Sequence, residues 1–280
     1  VEKTIDASGR VLHGLVNMTN DEYHAAIGYS SSHIKDAIDL SLLHFWHMHE
    51  NPNREPEEKD AYNFGQATHT AVLEPDLLTS TVVKAPPFNL RTKDGRAERD
   101  NFAEENAGKI ILLPDEYESV LKIRDRVHAH PVVSGLLTGG KAEQSFFAID
   151  NETGELIKCR PDYLHDNGFA MIDVKTTKNA APSAFAKDAA NYHYHVSPPW
   201  YFDVLETLYG ETPEHFIFLA LEKEPPYAMG LYFAQPADME RGRALARRQF
   251  LRIIEAKRAN RWPDYAEEVL PLELPAWAKR

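Results

Sequence analysis

Arg160-Pro161-Asp162 is followed, ten residues on, by Asp173-Val174-Lys175, which puts two carboxylates and an amine within one short stretch. The turn signal at His165–Gly168 makes that stretch a hairpin centred near residues 166–167. Asp162 and Asp173 then stand almost opposite one another at its open end. Strand alternation puts Asp173 and Lys175 on one face and Val174 on the other. Two carboxylates that close repel by roughly several kcal/mol once desolvated, unless a cation lies between them. Hard oxygen donors with an open coordination sphere suit Mg²⁺, with Mn²⁺ able to substitute. A lysine beside such an ion orients or deprotonates a water, and these are the parts for hydrolysing a phosphodiester. A D-x-K triplet alone is equally a solvated ion pair on a surface hairpin; the Pro-Asp on the partnering strand sets this one apart.

The elements that must position these groups change period along the chain. Helical text begins at Thr19-Asn20-Asp21-Glu22 and again at Ser30-Ser31-Ser32. Residues 50–60 read as an exposed polar connection, Tyr62–Leu73 as a helix stopped by Pro75, and 76–113 as mixed and loop-rich. Pro114-Asp115-Glu116 opens a helix to about His128. Glu143–Asp150, Glu155–Tyr163 and Phe169–Thr176 are short strands, most simply an antiparallel meander. Helix follows over about 182–209, then strands Phe216–Leu221 and Met229–Phe233, then a helix over about 237–260 with Met239, Leu245, Phe250, Ile253 and Ile254 as its apolar stripe. This pattern predicts an α/β fold, a mixed central sheet flanked by helices. The first 20 residues lack periodicity and are expected to lie along the surface.

Composition bounds the reading. The single Cys159 excludes a disulfide framework, a four-cysteine zinc site and a cysteine-held iron–sulfur cluster. The net charge of −12 has the wrong sign for non-specific coating of nucleic acid, but it is unevenly spread. Residues 241–261 hold eight Arg and Lys against one Glu, and the loop 91–99 adds Arg91, Lys93, Arg96 and Arg99. The arginine-rich helix is either the lining of a DNA channel or a solvated amphipathic face, and loop 91–99 is a candidate DNA grip. Trp200, Trp262 and Trp277 read as packing anchors. His44, His47 and His49 cluster without paired acids, so no second metal site is expected there. No apolar run reaches the roughly 18 residues that span a bilayer, and Val1–Asp6 has neither the basic start nor the apolar stretch of a signal peptide. A cytoplasmic protein without membrane contact is expected.

The P-D-(10)-D-x-K arrangement resembles the PD-(D/E)xK nuclease superfamily. Phe64-Gly65-Gln66-Ala67-Thr68-His69, running on to Leu73-Glu74-Pro75, resembles the G-x-x-x-H…L-E-P helix of its RecE-like (exonuclease VIII) branch. Tyr23-His24 with Ser30–His33, the Phe88–Thr92 loop, Val127–Pro131 and Trp262-Pro263-x-Tyr265 are similar to that branch too. The likeness covers about residues 20–265 and implies one restriction-endonuclease-like domain with its catalytic sheet over about 142–235 and helical additions over 20–135. Residues 1–19 form an extension and 266–280 a tail. It implies that His69 and the Val174 carbonyl join Asp162 and Asp173 on the metal, with Lys175 at the attacking water. His69 alone reads equally as a helix-surface or core histidine. Glu143 matches a common acidic position of the superfamily, or is an exposed strand-end carboxylate. Glu74, about 140° round a helix from His69, reads as structural. Arg160 holds phosphate or pairs with a carboxylate, and Thr176 touches phosphate or caps the next helix.

The resemblance further implies 5′-to-3′ digestion of one strand from a double-stranded DNA end, leaving a 3′ single strand for recombination. It implies a ring-shaped homo-oligomer, a tetramer, and a single-strand annealing protein as partner. One departure stands out: where relatives often carry Gln-x-x-x-Tyr after the D-x-K strand, this chain has Ser197 and Tyr201, with a helix restarting at Pro198 or Pro199. The alternatives are another nuclease of this fold, RecB-like or endonucleolytic, and a DNA-binding protein that has lost catalysis.

Overall fold

Ala170–Thr177 and His215–Glu222 are two eight-residue strands buried along most of their length, as strands covered on both faces are. They lie side by side in parallel at the centre of the computed structural model, which describes residues 12–54, 60–274 and 278. In chain order the strands are β1 (Gly14–Val16), β2 (Val82–Lys84), β3 (Ile110–Leu112), β4 (Gly140–Ala142), β5 (Ser145–Ile149), β6 (Leu156–Cys159), β7 (Tyr163–His165), β8 (Ala170–Thr177), β9 (His215–Glu222) and β10 (Met229–Phe233). The helices are α1 (Asn20–Ala25), α2 (Ser31–Asp39), α3 (Leu42–Phe45), α4 (Asp60–Leu73), α5 (Leu78–Thr81), α6 (Lys93–Glu105), α7 (Pro114–Ala129), α8 (Pro131–Leu136), α9 (Pro182–Asn191), α10 (Ser197–Tyr209) and α11 (Pro236–Ala259).

The main sheet runs β10-β9-β8-β7-β4, and a second sheet runs β1-β5-β6. The parallel β8–β9 pair needs a long crossover, supplied by α9, a 3₁₀ turn at Tyr194–Val196 and α10. One face of the main sheet packs Met171, Phe216 and Phe218 against Phe185, Trp200, Phe250 and Ile253. The other packs Ile172, Val174, Leu219 and Leu221 against Val72 of α4 and Ile123 and Val127 of α7. The expected mixed sheet with flanking helices is what forms.

The expected meander is instead split between two sheets. β5 and β6 pair with each other, whereas β7 pairs with β4 and β8. The chain leaves one sheet for the other twice, at Glu143-Gln144 and at Arg160-Pro161-Asp162. Pro161 has no N–H to continue a ladder, and Glu143 adopts a left-handed φ of 53°. The Glu143 N–H donates to the Asp162 carbonyl at 3.1 Å, so the two crossings sit side by side.

Three other expectations change. Residues 12–18 are built into the fold: β1 pairs with β5, and Leu12, Val16 and Met18 pack on Phe147. The stretch 76–113 contains α5, α6 and the parallel β2–β3 pair. The basic segment 91–99 is mostly helical, because Thr92 caps α6 by accepting from the Gly95 N–H, and Gly95 lets the backbone of Asn89 come close. Residues 1–11, the 55–59 part of the predicted connection and Trp277 lie outside the described residues. Trp200 and Trp262 pack as anchors, Trp262 stacking on Phe45. Among the described residues no helix is long and apolar enough to cross a membrane.

Gly242 of α11 packs against the 3₁₀ turn Tyr194–Val196. A Cβ there would lie 1.9 Å from the His195 carbonyl oxygen, which is backbone and cannot swing away. Gly242→Ala is expected to cost about 1–3 kcal/mol and to lower the thermal midpoint by several degrees. An unchanged midpoint in a calorimetric scan would show that this contact does not constrain the fold.

Candidate metal centre and active site

The site is built where β7 stops. Its last ladder pair with β8 is Tyr163↔Ile172, so the edge of β8 beyond Ile172 has no strand beside it. Val174 presents both its N–H and its C=O to that edge, and these groups need partners. The Asp162 carboxylate accepts from the Val174 N–H at 2.6 Å. The Val174 carbonyl accepts from His69 of α4 and, at 3.4 Å, from the Lys175 ammonium. Asp162 and Asp173 do stand across from one another, as the hairpin predicts, and Asp173 and Lys175 share a face. Asp173 is buried and forms an ion pair with Lys175. Neither residue is simply a surface group: Asp173 is only 4% exposed.

The three donors that converge are His69, Glu143 and Asp162, whose ligand atoms all lie within 4.8 Å of one another. The His69 Nδ1 is 3.5 Å from Asp162 Oδ2. Glu143, read from the sequence as a common acidic position of the superfamily or an exposed strand-end carboxylate, is turned into the cluster by the crossing at 143–144, while Asp173 pairs with Lys175. Arg160 takes the carboxylate option: its Nε donates to Glu143 at 2.7 Å, and its Nη1 donates to both Ser145 Oγ and the Met18 carbonyl.

Electrostatics reflects the crowding. Burial first, and then the negative charge of Asp162, push the Glu143 carboxyl up to about 7, although Arg160 pulls the other way. Glu74 adds to that push. Its backbone N–H still closes the last turn of α4 on the Thr70 carbonyl at 2.9 Å, and it acts on Glu143 only through space. Burial lowers the His69 imidazole, opposed by Asp162, so the ring is a neutral donor. Burial likewise lowers Lys175 to about 8, with Asp162 opposing. One imidazole and two carboxylates, with a carboxyl held protonated by its neighbour, are the donor set a hard or borderline divalent cation relieves.

On the other side of Lys175 sequence reasoning singled out Ser197 and Tyr201 but missed Lys35. Lys35 of α2 donates to Ser197 Oγ at 3.1 Å, and Ser197 donates to Ser31 Oγ at 3.3 Å. Tyr201 hydrogen-bonds to Ser31 and lies within electrostatic reach of Asp162. Ser31 and Lys35 are one helical turn apart, a spacing visible in the sequence, but their partner came from a residue over 160 positions away. Thr176 faces Gly65 of α4, 3.8 Å from where its Cβ would be. Arg91, Lys93 and Arg96 are exposed at the start of α6, and the side chain of Arg96 bonds back to the Leu90 carbonyl. The arginines of α11 are largely spoken for: Arg243 pairs with Asp203, and Arg247 with Asp150 and Glu152. His49 does have an acid, Asp36 at 2.8 Å, but among the described residues the pair belongs to no cluster of three ligands.

A mixed sheet flanked by helices, carrying P-D and D-x-K on adjacent strands at its broken edge, defines a domain of the PD-(D/E)xK nuclease type. The profile of the family described as "PDDEXK-like domain of unknown function (DUF3799)" matches residues 30–273, and the chain belongs to that family. A crystal structure described as a "putative exonuclease" from Eubacterium rectale superposes with a TM-score of 0.65. It is 14% identical and the match covers 94% of this chain and 98% of that one, a likeness of fold. The crystal structure of SSO0001, 16% identical over 68% of this chain and 85% of that chain, aligns at a TM-score of 0.30 and carries no argument. No curated protein matches the chain.

Binding of a cation must displace the proton that Glu143 holds below about pH 7, so affinity should rise with pH through that range and level off above it. Mn²⁺ titration by calorimetry is expected to give weaker binding at pH 6 than at pH 8. Asp162→Asn should weaken it at least about tenfold, roughly 1.4 kcal/mol. Equal affinity at the two pH values, or an Asp162→Asn protein that binds normally, would place the ion elsewhere.

Proposed function

We propose that this protein is a Mg²⁺-dependent exodeoxyribonuclease of RecE-like type that digests linear double-stranded DNA. One strand is removed 5′-to-3′, leaving a 3′ single strand for recombination. The observation that carries the reading is the convergence of His69, Glu143 and Asp162 beside the Asp173–Lys175 pair, at an edge of β8 left open by the end of β7. The E. rectale protein's description and the motifs shared with the RecE-like branch support the exonucleolytic form of the activity.

His69, Glu143 and Asp162 would hold the divalent ion, with the Val174 carbonyl and Asp173 close by as further oxygen donors. Bound there, it supplies charge neutralisation at the phosphodiester and acidifies a water. The chain's own residues do the rest. Asp162 is locked in orientation by the Val174 N–H. Lys175, pinned by Asp173, orients the attacking water, and because burial brings it to about 8 it can exchange a proton near neutral pH. The water oxygen bonds to phosphorus as the bond from phosphorus to the 3′ oxygen breaks, leaving a 5′-phosphate. Arg160 stays on Glu143 and steadies the carboxylate instead of gripping substrate.

The same reading includes Mn²⁺ as a substitute ion, a cytoplasmic location, a ring-shaped homo-oligomer, in its tetrameric form, and a single-strand annealing protein as partner. A ring lets a basic lining coexist with a net charge of −12. Arg91, Lys93 and Arg96, exposed on and before α6, are its outer DNA contacts.

End-labelled linear duplex incubated with Mg²⁺ should release the 5′ label first, while closed circular DNA stays intact. Lys175→Ala and Asp173→Asn should each lower the rate at least about 10²-fold. Asparagine is chosen because Asp173 is buried and alanine would strand the Lys175 ammonium. Normal digestion by Lys175→Ala, or cutting of closed circles at the linear rate, would overturn the proposal.

A further inference from the structure

Lys35 takes no part in the chemistry just described, yet its ammonium faces the same space. It lies 6.0 Å from the centroid of the Tyr194 ring, and the Lys175 ammonium lies 5.5 Å from that same centroid. Lys175 has a carboxylate, Asp173. Lys35 hydrogen-bonds to a neutral hydroxyl, Ser197 Oγ; Asp36 and Asp162 act on it through space, but among the described residues no carboxylate forms an ion pair with it. Its neighbour Asp36 points to His49 instead. An ammonium carries three donors, and a half-buried one with a single neutral partner has unmet demand for an anion. The arrangement is built, not incidental. Ser197 sits at the start of α10, fixed by Ser31, and the short serine leaves room for the lysine to reach in from α2.

Resting on the nuclease reading, we propose that Lys35 binds a backbone phosphate of the strand being cut, beside the scissile phosphate that Lys175 serves. Both ammoniums lie against the same Tyr194 ring, so Lys35 takes the neighbouring phosphate while Lys175 stays with the attacking water. Ser197 and Ser31 are positioning residues: they hold the ammonium where the strand must pass. Lysine suits this task as a point charge that follows a phosphate without reading sequence.

The test measures binding of a short DNA duplex in EDTA, by fluorescence anisotropy across a range of KCl concentrations, and cleavage kinetics in Mg²⁺. Lys35→Gln should weaken binding several-fold and make the plot of log affinity against log salt shallower by about 0.9, one phosphate contact. In cleavage its KM should rise by more than its kcat falls. Lys35→Arg keeps the charge and should restore the wild-type slope. Thermal midpoints check the fold, and Lys35→Met, which keeps the stem, serves where the glutamine protein is unstable. A folded Lys35→Gln or Lys35→Met protein with wild-type slope and KM overturns the inference. So does a Lys35→Arg protein whose slope is as shallow as that of Lys35→Gln, since packing and not charge would then be at stake. Absence of cleavage by the wild-type chain would instead overturn the nuclease reading, a separate result.

Discussion

Glu143 and Asp162 stand at close quarters in a half-buried corner, and their negative charges repel. That repulsion is the constraint around which the rest of the structure is arranged. Burial, and then that repulsion, raise the Glu143 carboxyl to about 7 even with Arg160 bonded to it. A protein selected only for stability would gain by replacing one acid of such a pair. Here the fold goes the other way. It breaks a strand with Pro161, places Glu143 in a left-handed conformation and ends β7 early, and each departure brings a donor to the same point.

The open edge of β8 explains how groups from opposite faces of the sheet meet. His69 comes from α4, which packs on the Val174 face, whereas Asp173 and Lys175 belong to the face covered by α10 and α11. A continuous ladder would keep the two sides apart. With β7 gone beyond Tyr163, the Val174 peptide itself becomes part of the site: its N–H orients Asp162, and its carbonyl receives His69 and Lys175.

What the sequence made legible follows from how local each signal was. The D-x-K strand, the hairpin that sets Asp162 against Asp173, the His69 helix and the restart of α10 at its prolines all depend on neighbours within a turn or a hairpin. The split of the meander did not show, because Pro161 and a left-handed Glu143 are consistent with an ordinary bulge until the strand partners are known. The approach of Glu143 to His69 and Asp162 did not show either, since it depends on the crossing between sheets at 143–144. Lys35 was invisible for the same reason: α2 and α10 are brought together only by the packed core. The helical state of residues 93–99 was missed because its charged, glycine-containing text carries little periodicity, while its cap, Thr92, lay in plain view.

The account turns on a shared cation, and locating that ion is its most direct test. Anomalous diffraction from crystals soaked in Mn²⁺ should show a peak within about 2.0–2.4 Å of His69, Glu143 and Asp162, with remaining positions open to water. A peak away from these three side chains, or none at saturating Mn²⁺, would contradict it.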